Sequence, residues 1–344
     1  MNKLCKYGTH RVISPKGTLP QSADKIDNNM ICYGNEILVD VDILNIDSAS
    51  FTQIKKACDS DISKMKIMIM DIVSQKGKMQ NPITGSGGMF IGRIREIGKD
   101  LNLSVKTGDQ IASLVSLSLT PLRIDEIIDV DLDKDKVKII GQAILFETGI
   151  FAKIPNDLPA NVVLSALDVA GAAAQVAKLV KKDDTVLILG AGGKSGILCT
   201  YQARKSAGKN GRVIGLTNLS SQKQDLEKLG ICDHIIVGDA TKPVEVYEEV
   251  KRVAPDLADV TINVVNVANT EMSSILPTKS SGTIYFFSMA TSFTKAALGA
   301  EGIAQEAVMI IGNGYTKDHA DFTLNLLRES DELYELFTER YGDK

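Results

Sequence analysis

The sequence predicts an α/β protein of two domains: a β-rich first part and a doubly wound parallel sheet in the second. Three observations carry this. The chain has 344 residues, of which 44% are hydrophobic, more than one domain usually needs and enough for two cores. The first 150 or so residues contain alternating apolar and polar runs, whereas short apolar runs and helical patterns take turns beyond Pro155 and Pro159. The apolar strand Thr185–Leu189 then enters Gly190-Ala191-Gly192-Gly193-Lys194-Ser195-Gly196, a glycine turn that opens a helix.

The elements follow in order. Residues 36–44 and 91–98 alternate as half-buried strands do, and 105–112 reads as a turn leading into another strand. Between them, 54–76 is a helical patch with Met65, Ile69, Ile72 and Val73 on one face, a core stripe. Pro155 and Pro159 mark a hinge between domains. A helix is expected over 161–180, then strands at Thr185–Leu189, 213–217, His234–Val237, 260–265, 283–287 and Val308–Ile311, with a closing helix over 317–341 that returns to the first domain. The domains are therefore 1–158 joined by 314–344, and 159–313.

Composition narrows the function. A formal charge of −4 gives no support to nucleic-acid or anionic-membrane binding. Cys5, Cys32, Cys58, Cys199 and Cys232 form no C-x-x-C pair, which fits reduced thiols in a cytoplasmic protein. Lys3 and Lys6 precede no apolar run of the secretory type, and Asp168 and Lys178 interrupt the longest apolar stretches before they could span a bilayer.

The glycine turn is the main chemical signal. Gly190, Gly192 and Gly196 are spaced G-x-G-x-x-x-G, one residue longer than the usual dinucleotide fingerprint. Glycines let backbone approach a pyrophosphate, and the helix N-terminus supplies free N–H groups. The next strand ends at Thr217-Asn218, where an NAD-binding chain usually has an acid for the ribose. NAD is expected, and NADP stays open because neither residue repels a 2′-phosphate. Gly193-Lys194-Ser195 also resembles the end of a P-loop, but Ile188 stands where that motif needs glycine. A turn used only for strand–helix packing is the plainer alternative. Ligands bind outside the carboxyl ends of such strands, so the cofactor is expected at Gly190, Gly192, Gly193, Lys194, Ser195, Gly196, Thr217, Asn218, Asn266, Val267, Ser288, Met289 and Ala290.

A β-rich domain followed by a Rossmann domain resembles the medium-chain dehydrogenase/reductase superfamily, with Gly85-Ser86-Gly87-Gly88, Gly92, Gly98 and Gly108-Asp109 as the matching first-half pattern. The resemblance implies a GroES-like fold for the first domain. Further runs, among them Lys6-Tyr7-Gly8-Thr9-His10-Arg11-Val12 and Gly312-Asn313-Gly314-Tyr315-Thr316-Lys317-Asp318-His319, with 44–51, 116–124 and 288–297, look like the family of L-erythro-3,5-diaminohexanoate dehydrogenases. That implies an NAD-dependent oxidative deamination in lysine fermentation, with a small diamino acid as substrate and 5-amino-3-oxohexanoate, ammonia and NADH as products. It also implies a homodimer or homotetramer through the outer Rossmann strands.

Many superfamily members hold a catalytic zinc. The positions they use read here as Asn45-Ile46-Asp47-Ser48, Gly85-Ser86-Gly87 and Leu167-Asp168-Val169, without Cys or His. No catalytic metal is expected. Asp47 and Asp168 fall near two vacated ligand positions, with Ser48 and Ser86 close by. An alcohol needs a Lewis acid to stabilise its alkoxide. An amine does not, and carboxylates suit a diammonium substrate and a developing iminium. Asp47 also reads as a helix cap, and Asp168 as a buried structural acid within a helix. Arg123 and Lys295 could clamp a substrate carboxylate or sit in surface ion pairs. Glu147, among apolar neighbours, could shuttle protons. Tyr315 and His319 could line a cleft, while His10 and His234 read as structural. The rival functions are a zinc-free NAD(P)H-dependent enone or quinone reductase and a non-catalytic NAD(P)-binding protein.

Overall fold

The computed structural model describes residues 4–132 and 134–342. It divides into two compact units, Met1–Ala160 and Asn161–Lys344. The first contains β1 (Val12–Ser14), β2 (Lys25–Ile26), β3 (Glu36–Asn45), α1 (Ser48–Ala57), α2 (Ile62–Lys76), β4 (Met89–Ile97), β5 (Gln110–Ser113), β6 (Leu122–Asp131), β7 (Lys136–Phe146) and β8 (Phe151–Lys153). Six of these strands form one antiparallel sheet in the order β6-β7-β3-β4-β5-β8, and β1 pairs with β2. β3 is central and mostly buried, rather than half-buried as its alternation suggests, because it pairs on both edges and its apolar side chains pack beneath the two helices. Met65, Ile69, Ile72 and Val73 of α2 are buried in that core, as their spacing predicts.

The helical patch expected over 54–76 is two helices. Asp59 and Ser60 have φ of 52° and 61°, the left-handed region that a continuing helix cannot use. Asp61 then restarts the helix, its carboxylate accepting hydrogen bonds from the N–H groups of Ser63 (2.9 Å) and Lys64 (3.2 Å).

The second unit is doubly wound. Its elements are α3 (Ala160–Leu167, beginning at the boundary), α4 (Ala170–Leu179), β9 (Thr185–Leu189), α5 (Lys194–Ala207), β10 (Arg212–Thr217), α6 (Ser220–Leu229), β11 (His234–Val237), α7 (Pro243–Val253), β12 (Ala258–Asn263), α8 (Glu271–Ile275), β13 (Thr278–Phe286), α9 (Phe293–Gly302), β14 (Val308–Ile311), α10 (His319–Arg328) and α11 (Asp331–Tyr341). All six strands are parallel, in the order β11-β10-β9-β12-β13-β14. The chain reverses its winding between β9 and β12, the place where such sheets open a ligand crevice. Val186, Leu187, Ile188 and Leu189 of β9 are buried between helices on both faces, hence its continuous apolar run.

Three expectations are corrected here. The helix expected over 161–180 bends by 52° between α3 and α4, at Asp168 and Val169. The closing segment is two helices, restarted by Ser330, whose hydroxyl accepts from Leu333 N–H at 3.2 Å. Residues 314–344 belong to the second unit rather than the first. α10 packs on α4, where the Thr323 hydroxyl donates to the Ala170 carbonyl at 3.0 Å, and α11 lies against α6. Among the described residues no single helix is long and apolar enough to cross a bilayer.

Candidate functional site

The glycine turn has the geometry its composition suggests. Gly190 sits at φ 85°, and the N–H groups of Gly190 and Ala191 both bond the Leu216 carbonyl at 2.9 Å, fastening the turn to β10. A Cβ on Gly196 would collide with the Gly190 carbonyl, so only glycine lets α5 begin this close to β9. Gly193 precedes Lys194, the first residue of α5, and the first turn has neither a side-chain cap nor an acid. The N–H groups of Lys194, Ser195 and Gly196 therefore face outward with the positive end of the helix behind them. From α11, Arg340 donates to the Gly192 carbonyl at 2.8 Å and pairs with Asp225 of α6, bracing the turn from below.

The other expected cofactor loops lie at the carboxyl ends of the same parallel strands. Thr217 ends β10, buried, with its hydroxyl bonded to Gln222; Asn218 is exposed beside it. Asn266 and Val267 are exposed in the loop after β12. Buried Asn263 braces that loop, its amide donating to the hydroxyls of Thr270 (2.9 Å) and Ser274 (2.8 Å) while its carbonyl accepts from Val265 N–H at 3.0 Å. After β13, the Ser288 hydroxyl accepts from Ala290 N–H at 3.1 Å and Met289 is exposed. Buried Glu271 accepts from Ser292 N–H at 2.6 Å, closing that loop. Glu271 and Arg340 escape a reading by motif because they act through backbone far away in sequence, and Gln222 and Asn263 because their partners are set by the turns that follow β10 and β12.

Asp168 stands in the break between α3 and α4, not within a helix, and is partly exposed. Its Oδ2 lies 2.5 Å from the Lys194 ammonium. The structure thus joins two residues that the sequence assigns to separate tasks. Tyr315 is exposed and packs edge-on against His319, their rings 5.5 Å apart; burial pushes the His319 imidazole below its ordinary pKa. Lys295 is exposed near the start of α9 with its ammonium on the Asn269 side chain, so its carboxylate-clamp role gains no support.

In the first unit Asp47 caps α1. Its Oδ1 accepts from Ser50 N–H at 3.0 Å, while its Oδ2 is buried with no hydrogen-bond partner. An unpartnered buried carboxylate oxygen is costly and calls for a ligand, ion or water. Gly88, at φ 104°, lies so close to Asn45 and Asp47 backbone that a Cβ would collide with the Asn45 carbonyl. This brings the 84–88 loop against α1, where the hydroxyls of Ser50, Thr84 and Ser86 form a triangle with edges of 2.6, 2.9 and 3.0 Å. Ser86 bonds Ser50, whose N–H Asp47 caps; Thr84 and Ser50 had no motif to signal them. Ser48 points elsewhere, its hydroxyl on Asp135 at 2.9 Å.

Two other expectations in this unit change. Glu147 is exposed in the turn after β7, because Leu145 and Phe146 take the buried positions and the chain leaves the sheet at Glu147. The apolar enclosure that a proton shuttle would need is missing. Arg123 is exposed on β6, bonded to Asp125 at 2.9 Å and Gln142 at 2.8 Å, the surface ion pair that was its alternative. His10 is structural, as its setting suggests. Its Nδ1 accepts from Cys5 N–H (3.2 Å) and its Nε2 lies 2.8 Å from Glu36, which makes it the Nε2–H tautomer. Burial raises the Glu36 carboxyl, but hydrogen bonds from Arg11 and His10 outweigh it and hold the group below the usual range.

A zinc ion does not fit these residues. In the first unit Asp47 is committed to a cap by one oxygen and its neighbours are hydroxyls; in the second Asp168 is tied to Lys194. Among the described residues no three His, Cys, Asp or Glu side chains gather as a metal site requires. The glycine turn, in contrast, fits a dinucleotide.

Comparison with known proteins agrees with both units. Residues 10–155 match the family model described as L-erythro-3,5-diaminohexanoate dehydrogenase N-terminal domain. Among solved structures, a mycobacterial quinone oxidoreductase aligns over 94% of this chain and 86% of its own at TM-score 0.54 and 14% identity. A 2R,3R-butanediol dehydrogenase from Bacillus subtilis aligns over 93% and 91% at TM-score 0.50 and 18% identity. They share the medium-chain dehydrogenase/reductase fold. The L-erythro-3,5-diaminohexanoate dehydrogenase of Acetoanaerobium sticklandii is 58% identical across 98% of this chain and 99% of its own. That of Fusobacterium nucleatum is 57% identical across 99% and 100%. Identity of this degree, running through both units from end to end, places the protein in the L-erythro-3,5-diaminohexanoate dehydrogenase family.

Proposed function

We propose that this protein oxidatively deaminates L-erythro-3,5-diaminohexanoate with NAD, giving 5-amino-3-oxohexanoate, ammonia and NADH. The observation that carries the reading is the 58% identity to a dehydrogenase of that name over 98% of the chain. The geometry supports it. The open N–H groups at Lys194, Ser195 and Gly196 would hold a pyrophosphate, with Gly192 and Gly193 letting it approach. Thr217 and Asn218 would meet the adenosine ribose, and Asn266, Val267 and the 288–290 loop the nicotinamide half. NAD is favoured over NADP because the end of β10 carries no cation for a 2′-phosphate, and the nearby Lys223 is paired with Glu227 at 3.7 Å. When bound, the cofactor supplies the hydride acceptor.

The remaining tasks fall to the chain. A substrate ammonium must be held, must lose a proton before its carbon can give up hydride, and the iminium that results must take up water. Asp47 Oδ2, buried and unpartnered, is suited to accept a charge-assisted hydrogen bond from a substrate ammonium. The hydroxyls of Ser50, Thr84 and Ser86, clustered at the start of α1, offer acceptors without adding charge. We also propose a cytoplasmic homodimer or homotetramer. Cys5, Cys32, Cys58, Cys199 and Cys232 are free thiols, and the outer strand β14 leaves Val308 and Ile311 exposed for another copy.

The test is NAD reduction at 340 nm by chelator-treated protein supplied with L-erythro-3,5-diaminohexanoate. Turnover that survives the chelator supports the reading. Turnover that vanishes and returns with zinc would show that Asp47 is a metal ligand after all. Absence of turnover under every condition, with NADH still bound, would leave a binding protein.

A further inference from the structure

We propose that Lys194 is the acid–base residue of imine hydrolysis, with Asp168 as its positioning partner. This rests on the deamination reading above. A lysine in a glycine turn is most simply a phosphate ligand, and the geometry argues against that use. The ammonium turns back to Asp168 Oδ2 at 2.5 Å, so its charge is already neutralised. A pyrophosphate at this turn is served by backbone N–H groups, which need no lysine. The clamp on the turn itself is Arg340, on the Gly192 carbonyl.

Nor is the pair a buried structural strut. The two side chains keep 28% and 27% of their surface exposed, enough for a small molecule to reach both. Asp168 performs no capping duty, for the residue before α4 is Val169 and the helix has no side-chain cap. Lys194 follows β9, beside the reversal of winding between β9 and β12 where a ligand enters. A primary amine that can take and return a proton therefore stands at the cofactor turn, oriented by a carboxylate.

The chemistry uses that property. Water adds to the iminium carbon: the C–O bond forms, the C=N π pair moves onto nitrogen, and the proton on oxygen passes to solvent water. Lys194 then gives a proton to the carbinolamine nitrogen. The C–N bond breaks with its electron pair leaving on ammonia, and the hydroxyl proton returns to Lys194 as the carbonyl forms. This restores the Lys194 ammonium, and ammonia takes up the proton that solvent received. Iminium and water become ketone and ammonium, with no change in oxidation state.

Arginine keeps the charge and the pairing with Asp168 but does not release a proton. Lys194→Arg and Lys194→Ala should each lower kcat by about 10²- to 10⁴-fold, the usual worth of a positioned acid–base group. NADH affinity, read by fluorescence, should stay within about threefold and certifies the fold. Added ethylamine should restore part of the turnover of Lys194→Ala. Wild-type kcat in Lys194→Arg would overturn the proposal, leaving charge alone as the requirement. So would weakened NADH binding with unchanged kcat at saturation, the mark of a cofactor ligand. Failure of the wild-type protein to oxidise diaminohexanoate while binding NADH would instead remove the deamination reading, a result no variant can imitate.

Discussion

Lys78 is fully buried, and its ammonium donates to the carbonyls of Pro20 at 2.6 Å and Gln21 at 3.3 Å rather than to a carboxylate. Burial pushes its pKa down to about 8, Lys76 adds to the drop, and Asp24 opposes it. An unfolded lysine titrates near 10.4, so the gap is about 2.4 units, or about 3 kcal/mol. Below pH ~8 both states carry the proton and the folded protein bears the whole cost of a buried charge. Between pH ~8 and ~10.4 the unfolded chain binds more protons than the folded one, so stability rises with pH; above that the cost is gone. Lys78→Met removes this titration and little else that titrates. The stability of the wild type minus that of Lys78→Met should therefore shift in favour of the wild type by about 3 kcal/mol between pH ~7.5 and ~10.5. Urea unfolding would measure it, followed by far-UV circular dichroism because the chain has no tryptophan. If the two units unfold separately, the transition that moves identifies the first. A stability difference that is flat with pH would refute the reasoning, since it would mean that Lys78 titrates alike in both states. The consequence reaches the 84–88 loop: the Gln21 carbonyl also accepts from Gln80, which bonds Gly85, and the Gln21 side chain accepts from Ser118.

Two further outcomes are expected. Glu36→Gln leaves the buried Arg11 guanidinium only the more distant Asp27 carboxylate at 3.8 Å as counter-charge and should destabilise the first unit by about 3 kcal/mol, read as a fall in the urea midpoint at pH 7. Because the Glu36 carboxyl is held low, that contribution is whole above the unfolded value of about 4.3 and is lost as pH falls through the folded value. Asp47→Asn keeps an oxygen to cap α1, so stability should change little, but it replaces the charge that Oδ2 offers. The loss of one charge-assisted hydrogen bond, about 1.5–3 kcal/mol, should lower kcat/KM for diaminohexanoate about 10- to 100-fold. Unchanged kcat/KM would remove Asp47 from the reaction.

Much was legible in the linear chain because it rests on local rules. β9, β11 and β14 fall at the bounds that their apolar runs predict, and the strand–turn–helix from Thr185 through the glycine turn at 190–196 is found where its context predicts. The core stripe of α2 follows from helical spacing. Errors gathered where a distant partner overrides the local pattern. The helix expected over 161–180 breaks at Asp168, whose carboxylate meets a lysine 26 positions away, and 317–341 packs on α4 instead of returning to the first domain. Glu147 has apolar neighbours in sequence, yet a strand end turns it outward.

The residues closest to chemistry divide in the same way. Motif spacing located the glycine turn, since a strand running into a glycine turn and helix is a local pattern whose backbone N–H groups suit a phosphate. Side-chain pairing depends on which elements pack together. Only the tertiary packing around α4 and α5 brings the Lys194 ammonium to Asp168, and only the close approach at Gly88 brings the Thr84 and Ser86 hydroxyls to Ser50. A hydrogen bond is short-ranged and directional, so sequence position cannot foretell it until tertiary contacts have brought donor and acceptor within about 3 Å.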